Sequence, residues 1–92
     1  MKVFWREWRR GQRLVVVLSD EDAHEDEVGG VRETREGFDA FAKTFGYEPG
    51  RAQKGIPTME EAKAFVENFR PWELYDDTQG ITVDPEVRPV LN

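Results

Sequence analysis

The sequence contains no cysteine and only one histidine, and these absences exclude several kinds of site. Without cysteine there is no disulfide framework, no thiolate metal site and no cysteine nucleophile. No stretch reaches the roughly 18 to 20 apolar residues that a membrane span needs, and residues 1–13 are charged and aromatic where a signal peptide would be apolar. We therefore expect a protein of the cytoplasm of the producing or infected cell, with no membrane partner.

Motifs for catalysis and cofactor binding are also missing. The Walker pattern, the dinucleotide-binding glycine fingerprint and the paired-histidine metalloprotease motif are absent. His24 lies in an acidic run, but that run lacks the glycine and the terminal glutamate of an EF-hand loop. Nothing in the sequence marks a pair of carboxylates as buried or perturbed. The sequence therefore predicts a protein that is not an enzyme, with no metal site and no cofactor.

Length and composition predict one packed domain over residues 1–92. The chain is 38% hydrophobic and 35% charged, and six Phe, three Trp and two Tyr supply large side chains for a core. The net charge of −6 is unevenly distributed. Residues 1–19 hold five basic residues and one acidic residue, residues 20–27 hold six acids and no Lys or Arg, and residues 59–92 hold three basic and eight acidic residues. The N-terminal part of the chain is therefore basic, and the segments 20–27 and 59–92 are acidic.

An N-terminal β-hairpin over residues 2–19 is the clearest local prediction. Aromatic and β-branched residues dominate both halves, and Gly11 lies between them. The run Leu14–Leu18 is apolar at every position, so it would be buried on both faces. We expect it to form a central strand.

For the middle of the chain the sequence predicts an exposed loop followed by a helix or a strand. Residues 20–30, with their six acids, predict an exposed acidic loop. Residues 34–46 favour a helix, because Phe38, Phe41 and Phe45 share one helical face and a glycine follows. The alternative is a strand, since Phe41 and Phe45 also fit an alternating pattern and Pro49-Gly50 could turn the chain back onto residues 52–56.

The best helix signal is at residues 58–70. Thr58 and Glu61 form a capping-box pattern, and Pro71 cannot continue a helix. Residues 81–83 favour an edge strand, and residues 84–92 are expected to be an extended tail. The predicted fold is therefore α+β, with a small antiparallel sheet led by the hairpin and packed against one or two helices.

A glycine–proline–threonine run precedes this helix. The run is Lys54-Gly55-Ile56-Pro57-Thr58, and Glu60, Glu61, Ala62 and Phe65 follow it. Over residues 54–65 the sequence resembles the helix start of the small AP2-like arm-binding domains of integrases. The resemblance implies DNA binding through a basic three-stranded sheet.

Acidic residues in the second half suggest a first function. Carboxylates placed along a surface compete with nucleic acid for the lysines and arginines of another protein. We therefore expect a non-enzymatic interaction module that binds and inhibits or modulates a protein partner, for example a nucleic-acid-binding protein, as small accessory proteins of phages and mobile elements do. The candidate contacts are Glu60, Glu61, Glu67, Trp72, Glu73, Tyr75, Asp76 and Asp77. The same acids could only solubilise the surface, and the aromatic residues could cover the core.

The basic hairpin suggests the alternative, a nucleic-acid-binding module. Aromatic rings stack on bases, and guanidinium groups bind phosphates. The residues concerned are Trp5, Arg6, Trp8, Arg9, Arg10 and Arg13. Against this, the ring of Trp5 could face the core and the arginines could pair with acids. A homodimer formed through an exposed strand edge also remains open.

Overall fold

In the part of the chain that the structure describes, the protein forms one six-stranded sheet with an α-helix on one side. The computed structural model describes residues 2–18, 24–44, 49–75 and 81–90. Short 3-10 helices span Pro49–Arg51 and Pro71–Leu74. The strands are β1 (Lys2–Trp8), β2 (Gly11–Val17), β3 (Glu25–Thr34), β4 (Gly37–Ala42), β5 (Ala52–Ile56) and β6 (Asp84–Arg88), and the helix is α1 (Met59–Asn68). This confirms an α+β fold, with a sheet larger than expected.

The sheet has the order β5-β4-β3-β2-β1-β6. Neighbouring strands are antiparallel, except that β6 is parallel to β1. The predicted hairpin is confirmed, because β1 and β2 pair from Lys2 opposite Val17 to Trp8 opposite Gly11. Strand β2 lies between β1 and β3, and Leu14, Val15 and Val16 are buried on its two faces, as a central strand requires. Leu18, also expected to be buried, follows the strand and is 46% exposed.

The predicted acidic loop is wrong from Glu25 onward, where β3 begins; residues 19–23 lie outside the described part of the chain. Two acids of β3 are tolerated because other strands of the sheet supply arginines. Glu25 pairs with Arg6 of β1, and Glu27 lies 4.0 Å from the Arg13 guanidinium of β2. Cross-strand pairs of opposite charge stabilise a sheet, and the charges of one segment alone do not reveal them.

The helix favoured for residues 34–46 is also wrong within the described residues. Gly37–Ala42 forms β4, which pairs with β3 and with β5, so a strand that returns onto residues 52–56 is confirmed. The strand ends at Ala42, before Lys43, and Pro49–Arg51 forms a 3-10 helix in place of the expected turn. Residues 45–48 lie outside the described part. The alternating pattern prevails because strands on both sides satisfy the backbone of β4, which buries Ala40 and Ala42 and leaves Phe41 exposed.

Helix α1 confirms the prediction for residues 58–70 closely. The Thr58 hydroxyl accepts a hydrogen bond from the Glu61 backbone N–H at 3.1 Å, as an N-cap residue should. The helix ends at Asn68, shortly before Pro71. Ala62 and Val66 are fully buried against the sheet. No helix in the described residues is long and apolar enough to cross a membrane.

The C-terminal prediction needs two corrections. Residues 81–83 form no strand, and Asp84–Arg88, expected to belong to the tail, forms β6 beside β1. Pro85 is tolerated because β6 is an edge strand and has an unpaired side. The Asp84 carboxylate accepts a hydrogen bond from the Glu86 backbone N–H at 2.9 Å, and this bond, with that from Arg88, lowers the pKa of Asp84.

The two faces of the sheet differ. One face packs against α1 and contributes the core residues Val3, Trp5, Leu14, Val16, Val31, Ala40 and Ala42. We call the other face, which includes Arg13, Gly30, Arg32 and Phe41, the open face.

Gly29 allows the helix to approach closely, because a Cβ at this position would lie 2.5 Å from Val66 Cγ1 and 2.9 Å from the Phe41 carbonyl oxygen.

Replacement of Gly29 by alanine should therefore destabilise the fold. We expect the free energy of unfolding to fall by about 1–3 kcal/mol, the usual cost of overpacking a core. Urea denaturation followed by circular dichroism measures the change. Gly50→Ala is the matched control, since a Cβ at Gly50 meets no atom within 4 Å. Equal stability of the two variants would contradict the proposed close packing at Gly29.

Candidate functional site

Basic and aromatic side chains gather where the β1–β2 turn meets the open face. Trp8 ends β1 with 41% of its surface exposed, and Arg9 and Arg10 form the turn. Gly11 lies opposite Arg32 of β3, so the register brings a further arginine beside the turn. A first groove is lined by Trp8, Arg9, Arg10, Gly11, Arg13, Val31 and Arg32.

A second groove continues along the open face over β4 and β5. It is lined by Arg13, Arg32, Asp39, Ala40, Phe41, Ala52, Gln53 and Lys54. Because Arg13 and Arg32 line both grooves, the surface is continuous from Trp8 to Phe41. We call this surface the basic groove and define it by Trp8, Arg9, Arg10, Arg13, Arg32, Phe41 and Lys54.

Gly30 determines how Phe41 and Arg13 sit within the basic groove. Phe41 of β4 lies directly opposite Gly30, and Arg13 lies opposite Gly30 on the other side. A Cβ at Gly30 would lie 2.7 Å from Arg13 Nη1 and 2.9 Å from Phe41 Cε1. The ring and the guanidinium group therefore occupy the space above Gly30, and the guanidinium carbon lies 5.6 Å from the ring centroid.

Among the described residues, few carboxylates pair with the cations of the basic groove. Within the described residues, the side chains of Arg9, Arg10, Arg32 and Lys54 make no hydrogen bond or ion pair. Arg13 has one pairing, with Glu27, at the outer limit of 4.0 Å. Asp39 is the carboxylate in the second groove, and its Oδ1 accepts a hydrogen bond from the Gly55 N–H at 3.2 Å. Exposed, unpaired guanidinium groups are suited to bind an anion.

The structure divides the basic hairpin residues into two groups. Trp8, Arg9, Arg10 and Arg13 lie in the basic groove, whereas Trp5 and Arg6 have structural contacts. Trp5 is 2% exposed, and its indole N–H donates to Glu67 at 3.3 Å. Lys63 Nζ lies 5.1 Å from the Trp5 ring, and burial there lowers the Lys63 pKa. Arg6 is held by Glu25 at 2.5 Å and by the Pro89 carbonyl oxygen at 3.0 Å.

Sequence reasoning missed Arg32, Phe41 and Lys54. These residues belong to β3, β4 and β5, and only the sheet register brings them beside the hairpin. The prediction of a helix over residues 34–46 placed Phe41 on a buried helical face, although its ring is 42% exposed on the sheet. The available signal was the strand alternation through Phe41, which the sequence left as the alternative.

The proposed protein-binding residues have different surroundings in the described part of the chain. Glu60 and Glu61 are exposed at the start of α1, and Glu67 is half-buried beside Trp5. Glu73 pairs with Arg70 at 2.7 Å, and Asp76 and Asp77 lie outside the described residues. Trp72 is only 4% exposed and belongs to the core, and the Tyr75 hydroxyl accepts a hydrogen bond from Lys43 Nζ at 2.8 Å.

Comparison with known proteins adds no relative: no protein family, curated protein or solved structure matches the chain. The sheet has six strands, whereas the resemblance to AP2-like domains implies three. Among the described residues, no group of His, Asp and Glu side chains is arranged to hold a metal ion. The site therefore has to be judged from its own geometry.

The contact between Lys43 and Tyr75 has a measurable consequence. The hydrogen bond to the Tyr75 hydroxyl raises the Lys43 pKa above its ordinary value of 10.5. Because the folded-state pKa is the higher one, the stabilisation is present below pH 10.5 and is lost as the pH rises through the folded-state pKa.

Tyr75→Phe should therefore lower the Lys43 pKa, because the variant removes the oxygen that accepts the hydrogen bond. An NMR titration of the lysine side chains between neutral and alkaline pH measures the change. The other lysines serve as internal controls. An unchanged Lys43 titration in the variant would show that the contact is absent in solution.

Proposed function

We propose that the protein binds nucleic acid through the basic groove of the open face. The observation that supports this function best is the combination of two features on one continuous surface. The first is a set of exposed arginines without carboxylate partners in the described residues, namely Arg9, Arg10 and Arg32. The second is a pair of exposed rings, Trp8 and Phe41, on either side of Arg13 and Arg32.

The chemistry of these side chains fits a phosphodiester strand. A guanidinium group donates two parallel hydrogen bonds to phosphate oxygens, and this interaction is stronger than a neutral hydrogen bond. Aromatic rings can stack on nucleobases without regard to sequence. The basic groove offers both contacts within one surface, so it can bind the charged backbone and the bases together.

Among the acidic residues that the structure describes, Asp39 alone lines the basic groove, and Glu7 and Glu33 line a neighbouring depression with Arg9 and Arg10. Glu25 and Glu27, which share the open face, face Arg6 and Arg13. Glu60 and Glu61 belong to α1, on the opposite side of the sheet. The shortest extent of the molecule is 20 Å. Since the Debye length is about 10 Å at 0.1 M salt, charges on the far side act only weakly on a strand in the groove.

Nucleic-acid binding can be tested by fluorescence anisotropy with labelled single- and double-stranded oligonucleotides. At about 50 mM salt we expect binding, and at about 200 mM salt a marked loss of affinity, because counterions released from the phosphates drive the association. Absence of binding to every oligonucleotide at the lower salt concentration would refute the proposed function.

Removal of one groove arginine should reduce this salt dependence. Arg32→Gln removes a charge from the groove, and we expect weaker binding and a slope of log affinity against log salt that is smaller by about one unit. Arg70→Gln is the matched control, because Arg70 is an exposed arginine after α1 that pairs with Glu73. Equal effects of the two substitutions would point to non-specific attraction by overall charge.

Binding to a protein partner is the second proposed function. The exposure of Glu60 and Glu61 in the first turn of α1 favours it. The burial of Trp72 removes one of its two expected aromatic anchors, so we rank it below nucleic-acid binding. A Glu60→Lys, Glu61→Lys double variant should bind a captured partner more weakly, and unchanged affinity would remove the electrostatic part of this proposal. Glu67 is left intact, because it accepts the Trp5 hydrogen bond.

A further inference from the structure

The part of the basic groove around Phe41 differs from the rest. Its floor is apolar, formed by Phe41 and Ala52, and its volume is about 280 Å³. Arg13, Arg32 and Lys54 surround this floor with positive charge. An apolar base with cations around it suits a ligand that has a flat apolar part and negative charges beside it.

We infer that this part of the groove binds an unpaired nucleobase stacked on Phe41, so that the nucleic-acid ligand is single-stranded DNA or RNA. This inference rests on the proposed nucleic-acid binding and makes it more specific. The surrounding arginines and Lys54 would contact the phosphates on either side of the stacked base. Such a combination of stacking and phosphate contacts is typical of proteins that bind single strands.

Phe41 is held in place before any ligand arrives. Its ring is packed over Gly30 and beside the Arg13 guanidinium, at 5.6 Å from centroid to guanidinium carbon. An aromatic ring over a cross-strand glycine is a known device for stabilising a sheet. Since the ring is already packed on one side, binding a base requires little further ordering of the side chain. The ring is also 42% exposed, so a base can reach it.

A duplex cannot use this platform. The faces of paired bases are stacked on their neighbours inside the helix, so a protein ring reaches them only in single strands, loops or ends. The major groove is about 12 Å wide and admits one helix or a two-stranded ribbon. The six-stranded sheet belongs to a body with extents of 40 × 32 × 20 Å, and its open face is too broad to enter that groove.

Trp8 offers a second contact for the same single strand of DNA or RNA. In the sheet register, Trp8 of β1, Gly11 of β2 and Arg32 of β3 follow one another across the open face toward β4. At about 4.8 Å between neighbouring strands, the distance across the sheet from β1 to β4 is roughly 14 Å. A single strand of nucleic acid that contacts both Phe41 and Trp8 therefore passes over Arg13 and Arg32.

The test compares a labelled oligothymidylate with a labelled duplex at constant, low salt. We expect the unmodified protein to bind the single strand more tightly. Phe41→Leu keeps the charge and an apolar side chain, and we expect it to weaken single-strand binding about fivefold or more while leaving duplex binding unchanged. Phe41→Trp retains an aromatic platform and should keep the single-strand affinity.

A second variant tests the platform without changing Phe41. Gly30→Ala places a Cβ where Phe41 Cε1 and Arg13 Nη1 now lie, so it should displace the ring and weaken single-strand binding. Gly50→Ala is its control, as no atom lies within 4 Å of a Cβ there. Circular dichroism and urea denaturation establish that each variant is folded before its affinity is compared.

The outcomes separate this inference from the proposed function. If no oligonucleotide binds, both are overturned. If the duplex binds as tightly as the single strand, or if Phe41→Leu binds the single strand normally while Arg32→Gln binds it weakly, the groove binds nucleic acid but the base-stacking inference is wrong. Selective loss of single-strand binding in Phe41→Leu and Gly30→Ala, with retention in Phe41→Trp, supports it.

Discussion

Two neighbouring glycines in β3 allow other groups to approach the sheet closely from both sides. Successive residues of a strand face opposite sides, so Gly29 faces α1 and Gly30 faces away from it. On one side Val66 packs against the backbone at Gly29, and on the other the Phe41 ring lies over Gly30. The packing of the helix and the geometry of the candidate site therefore depend on the same short piece of backbone.

Arginine has two different functions in this sheet, and the neighbouring strands determine which. Near β6, the guanidinium carbons of Arg6 and Arg88 lie 5.2 Å and 4.4 Å from the centroid of the Phe4 ring. Both arginines also pair with carboxylates, so they cover Phe4 on the open face and help to bury it. Near β4, Arg32 has no acidic partner among the described residues and remains available to a ligand. The half of the open face near β6 is thus covered by paired arginine side chains, while the half near β4 is accessible to a ligand.

Sequence-based prediction succeeded where structure depends on residues close together in the sequence, and it failed where structure depends on distant residues. The hairpin and α1 depend on contacts between near neighbours, such as the turn between Trp8 and Gly11 and the cap at Thr58. Residues 37–42 could not be assigned in the same way, because Phe41 fits a helical face with Phe38 and Ala42 and also an alternating pattern with Phe45. The acids of β3 indicated a loop because their arginine partners lie in other strands. For the candidate site, the sequence supplied the hairpin half and missed Arg32, Phe41 and Lys54 for the same reason.

The sequence by itself determined the α+β class, the N-terminal hairpin, the capped helix and the concentration of basic and aromatic residues near the N-terminus. These features follow from local propensities and from composition, which act over a few residues. Only the tertiary structure decided that β4 is a strand, that Trp5, Arg6 and Trp72 have structural contacts, and that Phe41 joins the hairpin arginines on one surface. The reason is that sheet register and burial depend on pairings between distant segments, and a local pattern does not specify which partner a strand will have.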